Sequence, residues 1–315
     1  MPLREAVKFL KGAFKTSTVY SFHDGRCWVR SERAFASYPV AHILGTFALA
    51  APDLEKAMGR MDSEPIVEPG DGTMVLRAGR LRSSIDLLAA EGPAPSDEGG
   101  WDDLVTAPTK LLEALARALP FVSAEGTWQR SVLLATGSLA ALSNHSAARV
   151  LYPELELPDP IAIPSESADY LIGLGAEPTR WLIDPNSVRF EWPSGARVRC
   201  QLFAEGWPGV ADRVLGMADA EGAEPPVAVT DEWREAYDDA AALGSGELVV
   251  SPKDIVSRSD HGEHRIEFPT GVSRETKWSL SSLKAVLAVA TRWDPDGEGP
   301  ARFVGDAIRG IVARR

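Results

Sequence analysis

The residues best placed to do chemistry are basic. Arg4, Lys8, Lys11 and Lys15 recur at i, i+4, i+7 and i+11, so a helix would carry all four along one line of its surface. Like charges stacked this way oppose helix formation by roughly a few tenths of a kcal/mol per neighbouring pair. A solvated polar face is one reading of the run; a stripe facing phosphates is the other. Lys56 and Arg60 repeat the spacing further along. Lys110 and Arg117 lie seven apart on a helical pattern with Glu113 between them, and Lys284 and Arg292 lie eight apart on the last long one. Asp231, Glu232, Glu235, Asp238 and Asp239 run against the trend, with Arg234 alone opposing them. Any basic surface is therefore uneven.

Other chemistries find less support. There is no Walker loop, no G-x-G-x-x-G between strand and helix, and no G-x-S-x-G elbow. Gly173-Leu174-Gly175 is explained by a helix end. His261 and His264 flank a Gly with Asp260 and Glu263 beside them, and an exposed hairpin tip is favoured there over a metal pair. The acidic pairs Asp102-Asp103 and Asp238-Asp239 are adjacent, so on a helix their carboxylates diverge. No catalytic constellation and no cofactor signature stands out, and an enzyme is not expected.

Composition narrows the classes further. The 315 residues carry 33 Lys and Arg against 45 Asp and Glu, a formal charge of −12, which excludes a uniformly basic nucleic-acid binder. A small basic surface inside an acidic whole remains compatible with that balance. No apolar run approaches the ~20 residues needed to span a bilayer. The N-terminus moves straight into an amphipathic pattern with no apolar signal region. Two distant cysteines, Cys27 and Cys200, fit free thiols in a reducing cytoplasm, where the protein is expected.

Two stretches read as linkers: residues 91–100, EGPAPSDEGG, and 219–226, DAEGAEPP. They divide the chain into pieces of similar size, taken as domains over 1–92, 104–219 and 226–315. Each piece opens with an amphipathic helix. The stripes are Leu3, Ala6, Val7 and Leu10, then Leu112, Leu115 and Leu119, then Trp233, Ala236, Tyr237 and Ala240 after a Thr230 cap. Each then turns to strand-like text, such as Val19 to Phe22 followed by an Asp24-Gly25 turn. A second helix follows in each, marked by Leu54, Ala57 and Met58, by Ala168, Leu171 and Ile172, and by Leu280, Leu283 and Leu287. More strands close each piece, the last of them spanning 302–312. The order helix, strands, helix, strands thus recurs, with little residue identity between copies.

The middle piece carries a resemblance. Residues 111–123, LLEALARALPFVS, resemble the first helix of the middle domain in the bacterial DNA polymerase III β sliding clamps, the processivity-factor family. Residues 131–150, SVLLATGSLAALSNHSAARV, resemble that domain's strands, with Ser143-Asn144-His145-Ser146 in place of the family's Thr-Asp-Gly-His segment. Ile161 to Pro164 matches the strand and proline before the second helix. Residues 202–215, LFAEGWPGVADRVL, resemble the family's Gly, aromatic, Pro and Arg-Val stretch. Residues 78–85, AGRLRSSI, resemble the strand that ends the first clamp domain, and 278–283, WSLSSL, resembles more weakly the lead into the last helix. The resemblance runs along the whole chain in order, with no motif exact. The chain is shorter than typical members, which suits a divergent or phage-encoded clamp.

The resemblance implies an α+β fold of three repeated clamp domains, each with two inner helices packed on outer antiparallel sheets. Two subunits would close head-to-tail around duplex DNA; a trimer would suit two-domain subunits better. The implied partners are double-stranded DNA without sequence preference, a replicative DNA polymerase, a clamp loader and a second copy of the chain. The helices would face DNA, so Arg4, Lys8, Lys11, Lys15, Lys56, Arg60, Lys110, Arg117, Lys284 and Arg292 are the expected DNA-facing residues, and the outer sheets could be acidic. By position, Ser146, Pro208, Arg213, Val214 and Val312 fall in the family's partner cleft. Ser83 and Ile85 fall at first-domain ring contacts, and Ala242 and Leu243 at third-domain ones. The chain ends in Arg314-Arg315 where the family's cleft uses a Met-Pro pair. That departure leaves open whether partners carry the usual hydrophobic peptide or a different, acidic motif. The rival readings are a clamp-derived regulator of replication that forms no ring, and an enzyme whose site is dispersed in sequence.

Overall fold

The computed structural model describes residues 2–11, 18–23, 25–31, 34–89, 100–126, 128–203, 207–219, 224–244, 246–259, 262–297 and 299–315. The first stretch holds α1 (Leu3–Leu10), β1 (Val19–His23), β2 (Arg26–Arg30), β3 (Ala34–Pro39), β4 (Phe47–Ala50), α2 (Ala51–Gly59), β5 (Ile66–Pro69), β6 (Thr73–Ala78) and β7 (Leu81–Asp86). Next come β8 (Val105–Thr106), α3 (Leu111–Ala118), β9 (Ser131–Ala135), β10 (Ser138–Leu142), β11 (Ser146–Leu151), β12 (Ile161–Pro164), α4 (Ser165–Gly173), β13 (Arg180–Asp184), β14 (Ser187–Glu191), β15 (Arg197–Gln201) and α5 (Gly209–Asp219). The last stretch holds β16 (Val227–Ala228), α6 (Asp231–Leu243), β17 (Glu247–Val250), β18 (Asp254–Ser259), β19 (Gly262–Glu267), β20 (Thr276–Ser279), α7 (Leu280–Val289), β21 (Arg292–Asp294), β22 (Ala301–Gly305) and β23 (Ile308–Val312).

One order recurs along the chain: a helix, three strands, a fourth strand, a helix, three more strands. The first four strands of each copy are laid out alike, as β4-β1-β2-β3, β12-β9-β10-β11 and β20-β17-β18-β19. Three strands form a meander and the fourth returns beside the first, which is the Greek-key order.

The chain forms two compact units. Unit 1 comprises Met1–Leu111 with Asp169–Leu202, and unit 2 comprises Leu112–Ala168 with Phe203–Arg315. The unit boundaries differ from the linkers because the sheets do. In unit 1, β3 pairs with β15 (Ser37 opposite Arg197), giving one eight-stranded antiparallel sheet β4-β1-β2-β3-β15-β14-β13-β8. In unit 2, β11 pairs with β23 (Ala148 opposite Gly310), giving β12-β9-β10-β11-β23-β22-β21-β16. Smaller sheets complete each unit: β5-β6-β7 in unit 1 and β19-β18-β17-β20 in unit 2.

The apolar stripes explain how the helices seat. Leu3, Ala6, Val7 and Leu10 of α1 are buried, and so are Leu54, Ala57 and Met58 of α2. Phe9 of α1 meets Tyr38 of β3 at 5.5 Å between ring centroids, which puts α1 on the Tyr38 face of the unit 1 sheet. In unit 2, Trp233 of α6 packs edge-on against Trp293 of β21 at 5.4 Å. The Thr230 hydroxyl accepts from the Trp233 amide at 3.4 Å, as its capping position predicts. Gly310 sits where β23 presses most closely on its neighbours: a Cβ there would strike the Phe303 ring and the Ala147 carbonyl.

Several expectations change. Residues 302–312 form two strands, β22 and β23, joined at Asp306 and Ala307, the latter in a left-handed conformation (φ 53°). Arg292 is not on the last helix; α7 ends at Val289 and Arg292 opens β21. Lys110 precedes α3, at φ 59°. Strands β3, β4 and β5 and helix α5 are elements that the sequence reading did not place.

Candidate functional site

The basic stripe is laid on unit 1 by α1. Its N-terminus is capped from a distance: the Glu64 carboxylate accepts from the amides of Leu3 and Arg4. An anion at this end suits the helix dipole. Arg4, Lys8 and Lys11 are exposed, as the spacing predicted, and Lys15 lies outside the described residues. The Arg4 guanidinium is partly engaged, donating to the Met61 carbonyl oxygen. Lys11 pairs with Glu55 at 3.5 Å, and an exposed pair of this kind is worth little. Lys8 and Lys11 stand at the rim of a hollow of about 510 Å³ lined also by Glu5, Phe9, Tyr38 and Tyr170. The Tyr170 hydroxyl donates to the Phe9 carbonyl at 3.1 Å, and burial pushes its pKa well up.

Lys56 and Arg60, at the C-terminal end of α2, are also exposed. They line a groove of about 410 Å³ together with Arg82, Ser83 and Ile85 of β7. The structure thus joins two sets that the sequence kept apart. Ile85 itself is buried at 5% exposure, so it supports the groove from within and offers no contact surface of its own. β7 is an edge strand, paired with β6 alone among the described strands of its sheet. Of the third-piece candidates, Ala242 is exposed on α6, and the Leu243 side chain lies outside the described residues.

In unit 2, Lys284 is exposed on α7. Arg117 and Arg292 are held in internal contacts. Arg117 pairs with Glu113 at 2.8 Å and with Asp306 at 3.3 Å. Arg292 donates to the carbonyls of Pro225 and Pro226 and pairs with Glu224 at 3.4 Å. Its guanidinium fastens the start of the last piece to β21, which corrects its placement on a DNA-facing helix.

A second surface forms where α5 lies on β10, β11 and β23. Ala211, Leu215 and Ala218 of α5 are buried against Ala140, Leu142, Ala147 and Ile311. Half-buried Trp128, Leu133, Trp207 and Val214 pack at the border of this cluster, with the two indoles 5.3 Å apart. The Trp207 indole N–H donates to the Ser131 hydroxyl at 3.3 Å. Val210 and Met217, at 47% and 48% exposure, extend the apolar surface along α5. Pro208 and Val214 are half-buried here and Arg213 is exposed. Ser146 is buried in the turn beside them, where its hydroxyl meets that of Ser143 at 2.9 Å. Val312 is fully buried between Ser146 and Ala301, so it cannot present a side chain to a partner. The terminal arginines do not line this surface either. Arg314 donates to the Gly297 carbonyl and lies 5.9 Å over the Trp278 ring, while the Arg315 amide donates to Lys277 on β20.

No protein-family model and no curated protein matches the sequence. Solved structures do match. The DNA polymerase sliding clamp of Caulobacter crescentus aligns with a TM-score of 0.73 at 16% identity, over 100% of this chain and 97% of that one. The DNA polymerase III subunit beta of Pseudomonas aeruginosa aligns with a TM-score of 0.74 at 15% identity, with the same coverage. A putative beta subunit from Eubacterium rectale aligns with a TM-score of 0.72 at 11% identity, over 99% and 97%. The chain has the sliding-clamp fold.

Within the sliding-clamp fold, the sequence candidates sort by accessibility. Arg4, Lys8, Lys11, Lys56, Arg60, Lys110 and Lys284 reach solvent; Ile85 and Val312 do not. Trp128 and Trp207 were missed as functional candidates, because aromatic residues outside a periodic stripe look the same in sequence whether they fill a core or frame a cleft. Among the described residues, no group of three or more His, Cys, Asp or Glu side chains is arranged to hold a metal, and no helix is long and apolar enough to cross a membrane.

Proposed function

We propose that this chain is a DNA sliding clamp, a non-enzymatic tether that encircles duplex DNA and holds a replicative DNA polymerase to it. The observation that carries the reading is the full-length likeness to solved clamps, covering 100% of this chain and 97% of the Caulobacter one. The exposed bases on α1, α2 and α7 support it, because long flexible Lys and Arg side chains attract phosphates without reading bases. The three copies of one strand-helix order support three clamp domains over 1–92, 104–219 and 226–315, with each large sheet built by neighbouring copies. We take the subunit to close with a second copy through the open edge of β7. The basic groove of Lys56, Arg60 and Arg82 beside that edge would meet the acidic side chains of the partner copy's α6. Closure of this kind weakens as salt rises.

The α5 surface, framed by Trp128, Trp207, Pro208 and Val214, is the proposed partner cleft. Its apolar lining favours the hydrophobic peptide motif over an acidic one, with Arg213 at its rim. A clamp loader would use the same surface. Light scattering should give about twice the 33.9 kDa of one chain, and a polymerase on primed circular template should extend further per binding event in its presence. A mass of one chain at every concentration, with no stimulation, would support the non-ring regulator instead.

A further inference from the structure

A groove within unit 1 gathers positive charge that its surroundings do not balance. One wall is the end of α2, with Lys56 and Arg60; the other is β7, with Arg82, Ser83 and Ser84. Lys56 and Arg60 are one helical turn apart, and all three cations are exposed. Asp53 and Asp86 also line the groove. Among the described residues, however, none of the three cations is in an ion pair, with these carboxylates or with any other.

Other cations of unit 1 are engaged. Arg77, the strand neighbour of Arg82, pairs with Glu68 at 3.1 Å. Arg180 and Arg197 share Glu191 at 3.2 and 2.9 Å. A helix end accounts for Lys56 and Arg60 taken alone, because cations there suit the dipole. It does not account for Arg82, which comes from a separate strand and lines the same hollow. Ser83 is half-buried and Ser84 is exposed, and neither hydroxyl has a hydrogen-bond partner among the described residues. Three cations and two hydroxyls thus converge on a hollow of about 410 Å³.

We propose that this groove binds a small polyphosphate, a chain of two or three linked phosphate groups, free or carried by a nucleoside. Guanidinium forks match phosphate oxygens and hold them through charge-assisted hydrogen bonds. Serine hydroxyls add neutral donors. Cations on two walls call for an anion with oxygens on more than one side, which a linked chain supplies and a lone carboxylate does not. Duplex DNA carries its phosphates on a convex surface and would meet only the rim. The binding stands on the groove alone. One consequence rests on the clamp reading: the same cations would meet α6 of a second copy, so an occupied groove opposes closure.

The test is calorimetric titration of the full chain with sodium tripolyphosphate at about 50 mM salt, where screening is modest. Binding is expected, and orthophosphate should bind at least about tenfold more weakly, having fewer oxygens to engage. Arg82→Gln should lower tripolyphosphate affinity about fivefold, and adding Arg60→Gln should take the loss beyond about tenfold, with circular dichroism unchanged. Arg258→Gln, an equal charge change on β18, should have no effect. A nucleoside triphosphate that matches tripolyphosphate would show that the phosphates alone are recognised; one that binds much tighter would make the nucleotide the ligand. Either supports the proposal. No binding, or equal binding by the double variant, would overturn it. So would a short duplex or poly-glutamate that displaces tripolyphosphate with higher affinity and the same dependence on Arg82. Light scattering separates the groove from the ring, because tripolyphosphate should shift the mass from two chains to one. A single chain that binds tripolyphosphate would sink the closure reading and leave the groove proposal standing. A dimer that binds it and keeps its mass would overturn the competition.

Discussion

Asp219, the last residue of α5, lies 2.9 Å from the Arg309 guanidinium on β23. The same carboxylate is 2.8 Å from Arg149 on β11, and the two arginines are directly opposed in the strand register. Like charges directly opposed on a sheet destabilise it. Asp219 therefore allows that pairing and at the same time locks the end of α5 against the joined sheet. Asp219→Asn should cost about 2–3 kcal/mol, because it leaves two partly buried cations without a counter-charge. Urea unfolding would measure this. Affinity for a peptide in the proposed cleft should fall as well, since the lock fixes the C-terminal end of α5, the helix that carries Val214.

The proposed partner cleft is tested by Trp207→Ala. Truncation removes the 5.3 Å contact with Trp128 and part of the apolar border. Affinity for a polymerase-derived hydrophobic peptide should fall at least tenfold, as for an aromatic hot spot. Stability should fall by only about 1 kcal/mol, since the ring is half-buried. Arg213→Ala, at the rim, should change affinity about twofold or less. Calorimetric titration separates these outcomes.

The proposed DNA-facing stripe is tested by Lys8→Gln with Lys11→Gln. Neutral substitution avoids placing acids at the C-terminal end of α1, which the helix dipole disfavours. Retention on nicked circular DNA at about 100 mM salt should drop severalfold, and its salt dependence should flatten by up to two phosphate contacts. Equal retention would mean that these lysines are solvated surface alone.

Alkaline stability reports on Tyr237. Burial first, and the Asp238 charge second, push its phenol up to about 12 from 10.0, while its hydroxyl donates to the Leu280 carbonyl at 2.8 Å. The folded state thus keeps a proton that the unfolded chain gives up near pH 10. The stabilisation is fully present below pH 10 and is lost as pH rises through about 12. Tyr237→Phe should lower stability by about 1 kcal/mol at neutral pH through the lost hydrogen bond. It should also flatten the decline between pH 10 and 11.5. Urea midpoints across that range would show both.

Packing at the β11–β23 seam leads to the most severe expected loss. Gly310→Ala drives a methyl into Phe303, which is itself stacked on Phe121 at 5.3 Å, and against the Ala147 carbonyl. Neither neighbour can move without disturbing the sheet, so a loss of about 3 kcal/mol is expected. A fall in thermal midpoint would register it.

Much of this molecule follows from local sequence. The stripes of Leu3, Ala6, Val7 and Leu10 and of Trp233, Ala236, Tyr237 and Ala240 form helices that bury those faces, because helical periodicity is a property of a short window. The recurring order of helix and strands is legible for the same reason, and so is the exposed line of Arg4, Lys8 and Lys11. Tertiary structure alone decided what joins to what. The pairing of Ser37 with Arg197, and of Ala148 with Gly310, merges strands from different pieces into single sheets, and no local pattern encodes a partner so far along the chain. The same holds for Glu64 capping α1, for Arg292 spent on proline carbonyls, and for Val312 buried where a surface contact was expected. A residue type states what a side chain can do. Its environment, assembled from distant segments, decides whether the side chain is free to do it.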